Sequence, residues 1–363
     1  MYIRNCLITI ALLLTCFVST VRSESSIERN SPPTFTWKKL STNTEASFRG
    51  LCVVSDEVFW ISGSNGTVLR TIDGGKTFAN ASVPDATERD FRDVHAFDAN
   101  TAIVMNAGSP GVFFRTSDGG KNWSRVYNDL REDIFFDAMD FWDNRHGVAF
   151  GDPIDGRLVV LLTDNGGQSW KELDRELQPN MLPGEAGFAA SGTCIAAAGK
   201  ETILIGTGGA LDGQSHTTSR LLVSHDRGRT WLDRHVPIQR NQSSGIFSLI
   251  TPQDKHMIVV GGNYTQPEET SQNCAISFNN GQSWKPVTVE SPSGFRSAVT
   301  ASKVKTGMLI AAGTNGIDIT MDNGLSWKRI SDITTNAIAL TPGSHVIITA
   351  GPNGRVYVGM PGF

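Results

Sequence analysis

One eight-residue phrase recurs six times in this 363-residue chain. It reads T-I-D-G-G-K-T-F at 71–78 and T-S-D-G-G-K-N-W at 116–123. It returns at 163–170, 224–231, 277–284 and 320–327, so that successive copies start 45, 47, 61, 53 and 43 residues apart. A period of this size marks propeller blades or another repeat array, in which each unit buries its apolar face only against its neighbours. The repeat therefore overrides a reading from length alone, which would divide the chain into two or three domains.

The phrase has the chemistry of a hairpin turn. Its third residue is Asp73, Asp118, Asn165, Asp226, Asn279 or Asp322, a short side chain able to accept backbone N–H groups a few residues on. Its fifth residue is Gly in every copy, as a turn with positive φ requires. The eighth is Phe78 or a Trp, placed to fold back over the apolar layer beneath. A Ser/Thr-x-Asp-x-Gly-x-x-Trp phrase resembles the Asp-box (BNR) repeat of sialidase-like and related propellers. That resemblance implies a structural turn, and the six Asp/Asn positions are read as scaffold.

Around each box the sequence repeats one grammar: a strand, a second strand ending in Gly, a loop, a third strand running into the box, and a fourth after the aromatic. With 37 glycines and no long helical periodicity, the expectation is an all-β, seven-bladed β-propeller of four-stranded blades. Residues 35–40 resemble the strand that follows each later box. They are expected to join 337–341, 346–350 and 355–359 as the seventh blade, closing the ring and removing its exposed sheet edges.

Ahead of the propeller, residues 1–23 read as a secretory signal, with Arg4 before an apolar run at 6–18 too short to span a bilayer. Residues 24–34 read as a linker, and 35–363 as the propeller. The expected address is secreted, periplasmic or otherwise extracytoplasmic. Loss of Arg4 and Arg22 with the signal takes the net charge from −4 to about −6, which speaks against nucleic acid as a partner. Cys52, Cys194 and Cys274 remain, spaced neither as a disulfide framework nor as metal ligands, with room for one bridge at most. No cofactor motif is present, and a monomer is expected.

In such a ring the first strand of each blade lines the central channel. The loops between second and third strands share one rim with the links between blades, and the boxes lie on the other. Recognition is expected on the first rim. The starts of the first strands align as F-R-G at 48–50, F-R-D at 91–93 and F-R-S at 295–297, which makes Arg49, Arg92 and Arg296 equivalent. Phe136, Ala189, Phe247 and Ile338 take that place in the other blades. Three guanidiniums on one arc would bind a carboxylate, sulfate or phosphate. Alternatively each Arg pairs with a neighbouring acid such as Asp93 or Asp137 and staples blades together. The longer loops of this rim add Asp152, Tyr264, Glu268, Glu269 and Glu185, of which Asp152 and Glu185 have backbones fixed by Pro and Gly neighbours.

The stretches at 64–78, 146–151 (H-G-V-A-F-G) and 313–317 (G-T-N-G-I) are similar to the photosystem II assembly/stability factor propellers, the Ycf48-like family, and their non-photosynthetic bacterial relatives. The resemblance implies a non-enzymatic factor that binds a membrane-protein client, with the membrane met only through that client. It also implies a patch of arginines on one face, for which Arg49, Arg92 and Arg296 are the counterparts. The leading expectation is an exported, non-catalytic propeller that binds a protein client, or an anionic or carbohydrate ligand, on its arginine-bearing face. The competing one is a sialidase-like or xyloglucanase-like glycosidase. That enzyme would use Tyr264 with Glu268 or Glu269, or the carboxylates Asp152 and Glu185, as its reacting groups.

Overall fold

The computed structural model describes residues 33–253 and 255–362. The expected signal at 1–23 and most of the expected linker at 24–34 lie outside them. The described residues form seven sheets, six of four strands and one of six, joined entirely by antiparallel pairings. Each blade follows the expected grammar. Blade 1 comprises Phe48–Val53, Phe59–Gly63, Val68–Thr71 and Ala79–Asn80. Blade 7 comprises Ala337–Leu340, Ile347–Ala350, Val356–Pro361 and, as its outer strand, Phe35–Leu40 from the other end of the chain. Six consecutive pairs from Phe35↔Pro361 to Leu40↔Val356 make that closure.

Apolar side chains gather between blades rather than within them. One cluster joins Phe48, Phe59 and Ile61 of blade 1 to Ile348, Val356 and Val358 of blade 7. Six more repeat the arrangement around the ring. The four strands alone leave both faces of a blade apolar, so burial of these faces is available only by stacking. That is why the sequence had to repeat.

The box turn owes its shape to a fixed bond set. In the first copy the Thr71 hydroxyl donates to Asp73 Oδ1 at 2.8 Å and accepts the Gly75 N–H at 2.9 Å. Asp73 also accepts the Thr77 N–H at 2.9 Å and the Thr77 hydroxyl at 2.6 Å. Those donors hold its carboxyl down at about 2. The fourth and fifth box residues both have positive φ, as at Gly119 (80°) and Gly120 (82°). Asn or Arg is tolerated at the fourth position, as at Arg227 (56°) and Asn280 (55°), but the fifth is Gly throughout. Packing explains the difference: a Cβ on Gly120 would lie 2.4 Å from Ala81 Cβ of the preceding blade.

Two departures concern blades 4 and 5. The first strand of blade 4 is Ile195–Ala198, so Phe188–Ala190 precedes the strand instead of starting it. The long loop of blade 4 and the link after it contribute Ser215–His216 and Arg240–Asn241. These pair with each other and then with the first strand of blade 5, which makes its sheet six-stranded. Among the described residues Cys52, Cys194 and Cys274 form no disulfide.

A box glycine under contact and a surface glycine under none separate the two costs. Gly120→Ala is expected to lower unfolding stability by about 2–4 kcal/mol, through positive φ plus overpacking. Gly199→Ala, also at positive φ (58°) but with nothing within 4 Å, is expected to cost about 1 kcal/mol. Denaturant titration of both variants checks the difference.

Candidate binding site at the channel mouth

The inner strands of four blades carry a one-residue bulge near their start. Register jumps from Phe48 to Gly50, from Phe91 to Asp93, from Phe136 to Ala138 and from Ile246 to Ser248. The residue left over is Arg49, Arg92, Asp137 or Phe247. A bulge re-aims its side chain out of the pleat. All four accordingly line one pocket of about 380 Å³ at the rim away from the boxes. Ala189, Ser297 and Asn336 bring in the remaining three blades.

The pocket has two unlike walls. One is aromatic: Phe188 stacks on Phe247 with centroids 4.0 Å apart, and Phe295 meets Phe247 edge-on at 4.7 Å. Tyr264, half-exposed, closes on Phe188 and Phe247 at 6.5 and 6.2 Å. The other wall is charged. Arg92 Nε donates to Asp90 at 2.7 Å, and its guanidinium lies 5.5 Å over Phe135. Arg49 has no ion-pair or hydrogen-bond partner among the described residues. Burial, then the neighbouring Arg92, pull its pKa down, which is the signature of a guanidinium lacking a full counter-charge.

Asp137 sits beneath these arginines, 1% exposed, and neither of its oxygens receives a donor from the N–H groups around it. Its neighbour is Asp152, which accepts the Gly187 N–H at 3.0 Å. Burial, followed by the charge of Asp152, drives the Asp137 carboxyl well up. Burial also raises Asp152, to about 6. Two neighbouring carboxyls, Asp137 buried and Asp152 partly so, cannot both ionise cheaply, and the proton is held by Asp137.

The structure distributes the sequence candidates widely. Arg49, Arg92 and Tyr264 come together in the pocket, and Asp152 stands behind Asp137. Arg296 does not reach it. Gly63, Gly151 and Gly313 lie over the carbonyls of Ser47, Phe135 and Phe295, so Arg296 matches the core residues Phe48 and Phe136, not Arg49. That slip of one residue turns the side chain to the opposite face. Arg296 is fully buried, with Nε 2.7 Å from Asp318 Oδ2 and further bonds donated to Asn315 Oδ1 and the Phe295 carbonyl. Likewise Phe136 is core, and the positions taken there by Phe136 and Ile338 belong to Asp137 and Asn336.

Glu185 is buried in the scaffold. It accepts Arg220 Nε at 2.9 Å, the Thr207 hydroxyl at 2.6 Å and the Leu182 N–H at 2.9 Å. Glu268 is exposed and reaches Asn315 at 3.3 Å, while Glu269 accepts the Ser271 hydroxyl at 2.8 Å. Neither lines the pocket beside Tyr264. In sequence Asp137 stood only as an acid that could staple an arginine, not as a pocket residue. The bulge that turns it toward the pocket leaves no residue-type signature.

A second cavity, of about 750 Å³, runs down the channel to the hairpins holding Gln253 and Lys303, at the box end. Its acids are already engaged. Asp93 accepts the N–H groups of Val94 and Met139 at 2.8 and 2.7 Å, and Asp140 those of Phe141 and Ala197 at 2.8 Å each.

Against known proteins, a family model described as "Photosynthesis system II assembly factor YCF48" matches residues 30–132. A structure described as "YCF48 bound to D1 peptide" superposes with a TM-score of 0.63 at 16% identity, covering 92% of this chain and 96% of that one. Over residues 30–132 the chain is similar to the YCF48 family, and beyond them the likeness is one of fold. YCF48 from Cyanidioschyzon merolae gives a TM-score of 0.61 at 19% identity, over 89% of this chain and 98% of that one. The ring itself is more widely shared: the RRP9 WD40 repeats reach 0.62 at 11% identity, over 91% of this chain and 99% of theirs. A search of the curated proteins finds no match. What separates the YCF48 likeness from the shared ring is the sequence match, which spans the first two blades and both pocket arginines.

Scaffold and pocket arginines should separate in stability. Arg296→Ala leaves Asp318 buried and uncompensated, and Arg220→Ala does the same to Glu185. Each is expected to cost about 3–5 kcal/mol. Arg49→Ala, which breaks no pair, should stay within about 0.5 kcal/mol of the wild type. Urea unfolding of the three variants is the measurement.

Proposed function

We propose that this protein is an exported, non-catalytic client-binding propeller of the assembly-factor type, which holds an anionic segment of a protein client at the channel mouth. The observation that carries the reading is the pocket itself. It joins an unpaired guanidinium, Arg49, and a second arginine to an aromatic wall that includes the half-exposed Tyr264. The polar groups of a segment would gain charge-assisted bonds from the arginines, and its apolar side chain would gain burial against Phe188 and Phe247. A YCF48 bound to a D1 peptide supports a peptide segment as the form of ligand such a ring accommodates. A glycosidase reading draws no support from the acids: Glu185 is held by Arg220, and Asp152 is paired with Asp137.

Site-directed photocrosslinking tests this. With p-benzoylphenylalanine replacing Tyr264 in the producing cell, a discrete polypeptide adduct is expected, and Arg49→Glu with Arg92→Glu should abolish it. An adduct untouched by the charge reversals, or formed equally from Thr77 on the box rim, would sink the reading. Export is part of the same proposal and rests on residues 1–23. The mature chain should begin at Glu24 by intact mass, and a cell-retained chain still carrying Met1 would count against it.

A further inference from the structure

The Asp137–Asp152 pair gives the pocket a property that the arginines alone do not. Asp137 is a pocket-lining carboxyl, nearly fully buried, and its two oxygens receive no N–H or hydroxyl donor among the described residues. Gly187 binds the pair from behind: its N–H bonds Asp152, and a Cβ in its place would lie 2.4 Å from Asp137 Oδ2. The other ionisable groups facing the pair are Arg92 on blade 2 and the Cys194 thiol, which burial and Asp137 keep protonated. Arg49 is faced by Arg92 and Asp90. Tyr264 lies on the aromatic wall, and no His or Lys lines the pocket.

We propose that the channel mouth is a proton-linked receptor for a carboxylate carried beside an aromatic or bulky apolar group. The anion seats on Arg49, the apolar group lies against Phe247 and Phe188, and the Asp137–Asp152 pair takes up a proton as the anion enters. The proposal rests on the reading that this pocket binds an anion, and adds the ligand's chemistry and its control.

The charge arithmetic gives the direction. With one proton on the acid pair, Arg49, Arg92, Asp90 and the pair sum to zero. With a second proton they sum to plus one, which a single carboxylate neutralises. A bound carboxylate therefore makes the second proton more favourable, and by linkage the proton strengthens the anion's binding to the same degree. Asp152, raised to about 6, puts the switch between pH 5.5 and 7.5. The volume, about 380 Å³, suits one terminal side chain with its carboxylate. A free aromatic acid and the C-terminus of a chain ending in an apolar residue share that chemistry.

Calorimetry on the full-length mature protein tests it, with N-acetylphenylalanine and a peptide ending in Phe as probes and their C-terminal amides as controls. Both acids stay ionised over this pH range. Binding is expected to be about fivefold tighter at pH 5.5 than at 7.5. Buffers of different ionisation enthalpy should report uptake of roughly half a proton at pH 6.5. Amides should not bind. Arg49→Gln should lose at least about tenfold in affinity, and Asp152→Asn should bind equally at both pH values. Binding by the peptide acid alone identifies a chain terminus as the source; binding by both acids admits a free acid. Wild-type binding that is independent of pH and moves no proton overturns the linkage but leaves the anion site standing. Failure of both acids to bind at either pH overturns the whole proposal, while crosslinking at Tyr264 decides separately whether a client uses this rim.

Discussion

Each junction between neighbouring blades is pinned at the channel by a side chain that bonds across it. Ser62 donates to the Phe91 carbonyl, Asp93 accepts the Met139 N–H, and Asp140 accepts the Ala197 N–H. Ser248 continues the series twice, toward Thr193 on one side and the Val299 N–H on the other. Ser297 then donates to the Asn336 carbonyl, and Asn336 to the Phe48 carbonyl, which returns to blade 1. A blade edge leaves backbone groups without ladder partners, and these bonds satisfy several of them where water is scarce. The outer closure by Phe35–Leu40 would be of little use without this inner ring, because apolar stacking is non-directional and sets no angle between blades.

The same constraint makes the pocket. Seven inner strands converge on a narrow axis, and straight strands would point every second side chain into it. Bulges at Arg49, Arg92, Asp137 and Phe247 relieve that crowding and turn one residue per blade toward the mouth. The register of the inner strand thus decides which residues a ligand could meet. In blade 6 the residue facing the mouth is Ser297, and the Arg one place earlier becomes part of a buried network with Asp318 and Asn315.

This explains what could be read from the chain and what could not. The box phrase, the Gly-ended second strands and the orphan strand at 35–40 announce a closed ring, because each reflects a local backbone demand repeated at fixed spacing. Arg49 and Arg92 were legible for the same reason. Arg296 was placed by its phrase, F-R-S, but its side chain was placed by pairing with Gly313, and a period of two makes a one-residue error complete. Asp137 and Asp152 meet through a bulge and a link 35 residues away at Gly187, a contact that depends on the third dimension. Glu185 is the reverse case. Its Pro and Gly neighbours suggested a presented carboxylate, and they instead shape a turn that delivers it to Arg220.

The two rims differ in one physical respect that outweighs their shapes. On the box rim the polar atoms already bond one another: both oxygens of Asp73 accept donors within the turn, and the copies at Asp118, Asp226 and Asp322 repeat the pattern. The wide channel cavity behind them is lined by Asp93 and Asp140, whose carboxyl groups are likewise bonded by backbone N–H groups. A ligand arriving there would have to displace bonds the fold needs. At the opposite mouth, among the described residues, Arg49 makes no ion pair or hydrogen bond and Asp137 accepts no donor, a cost that the nearby Asp90 and Arg92 offset only in part. Groups left in that condition gain most from an incoming partner. That unsatisfied chemistry, more than concavity, is what supports the proposal that recognition lies on this rim.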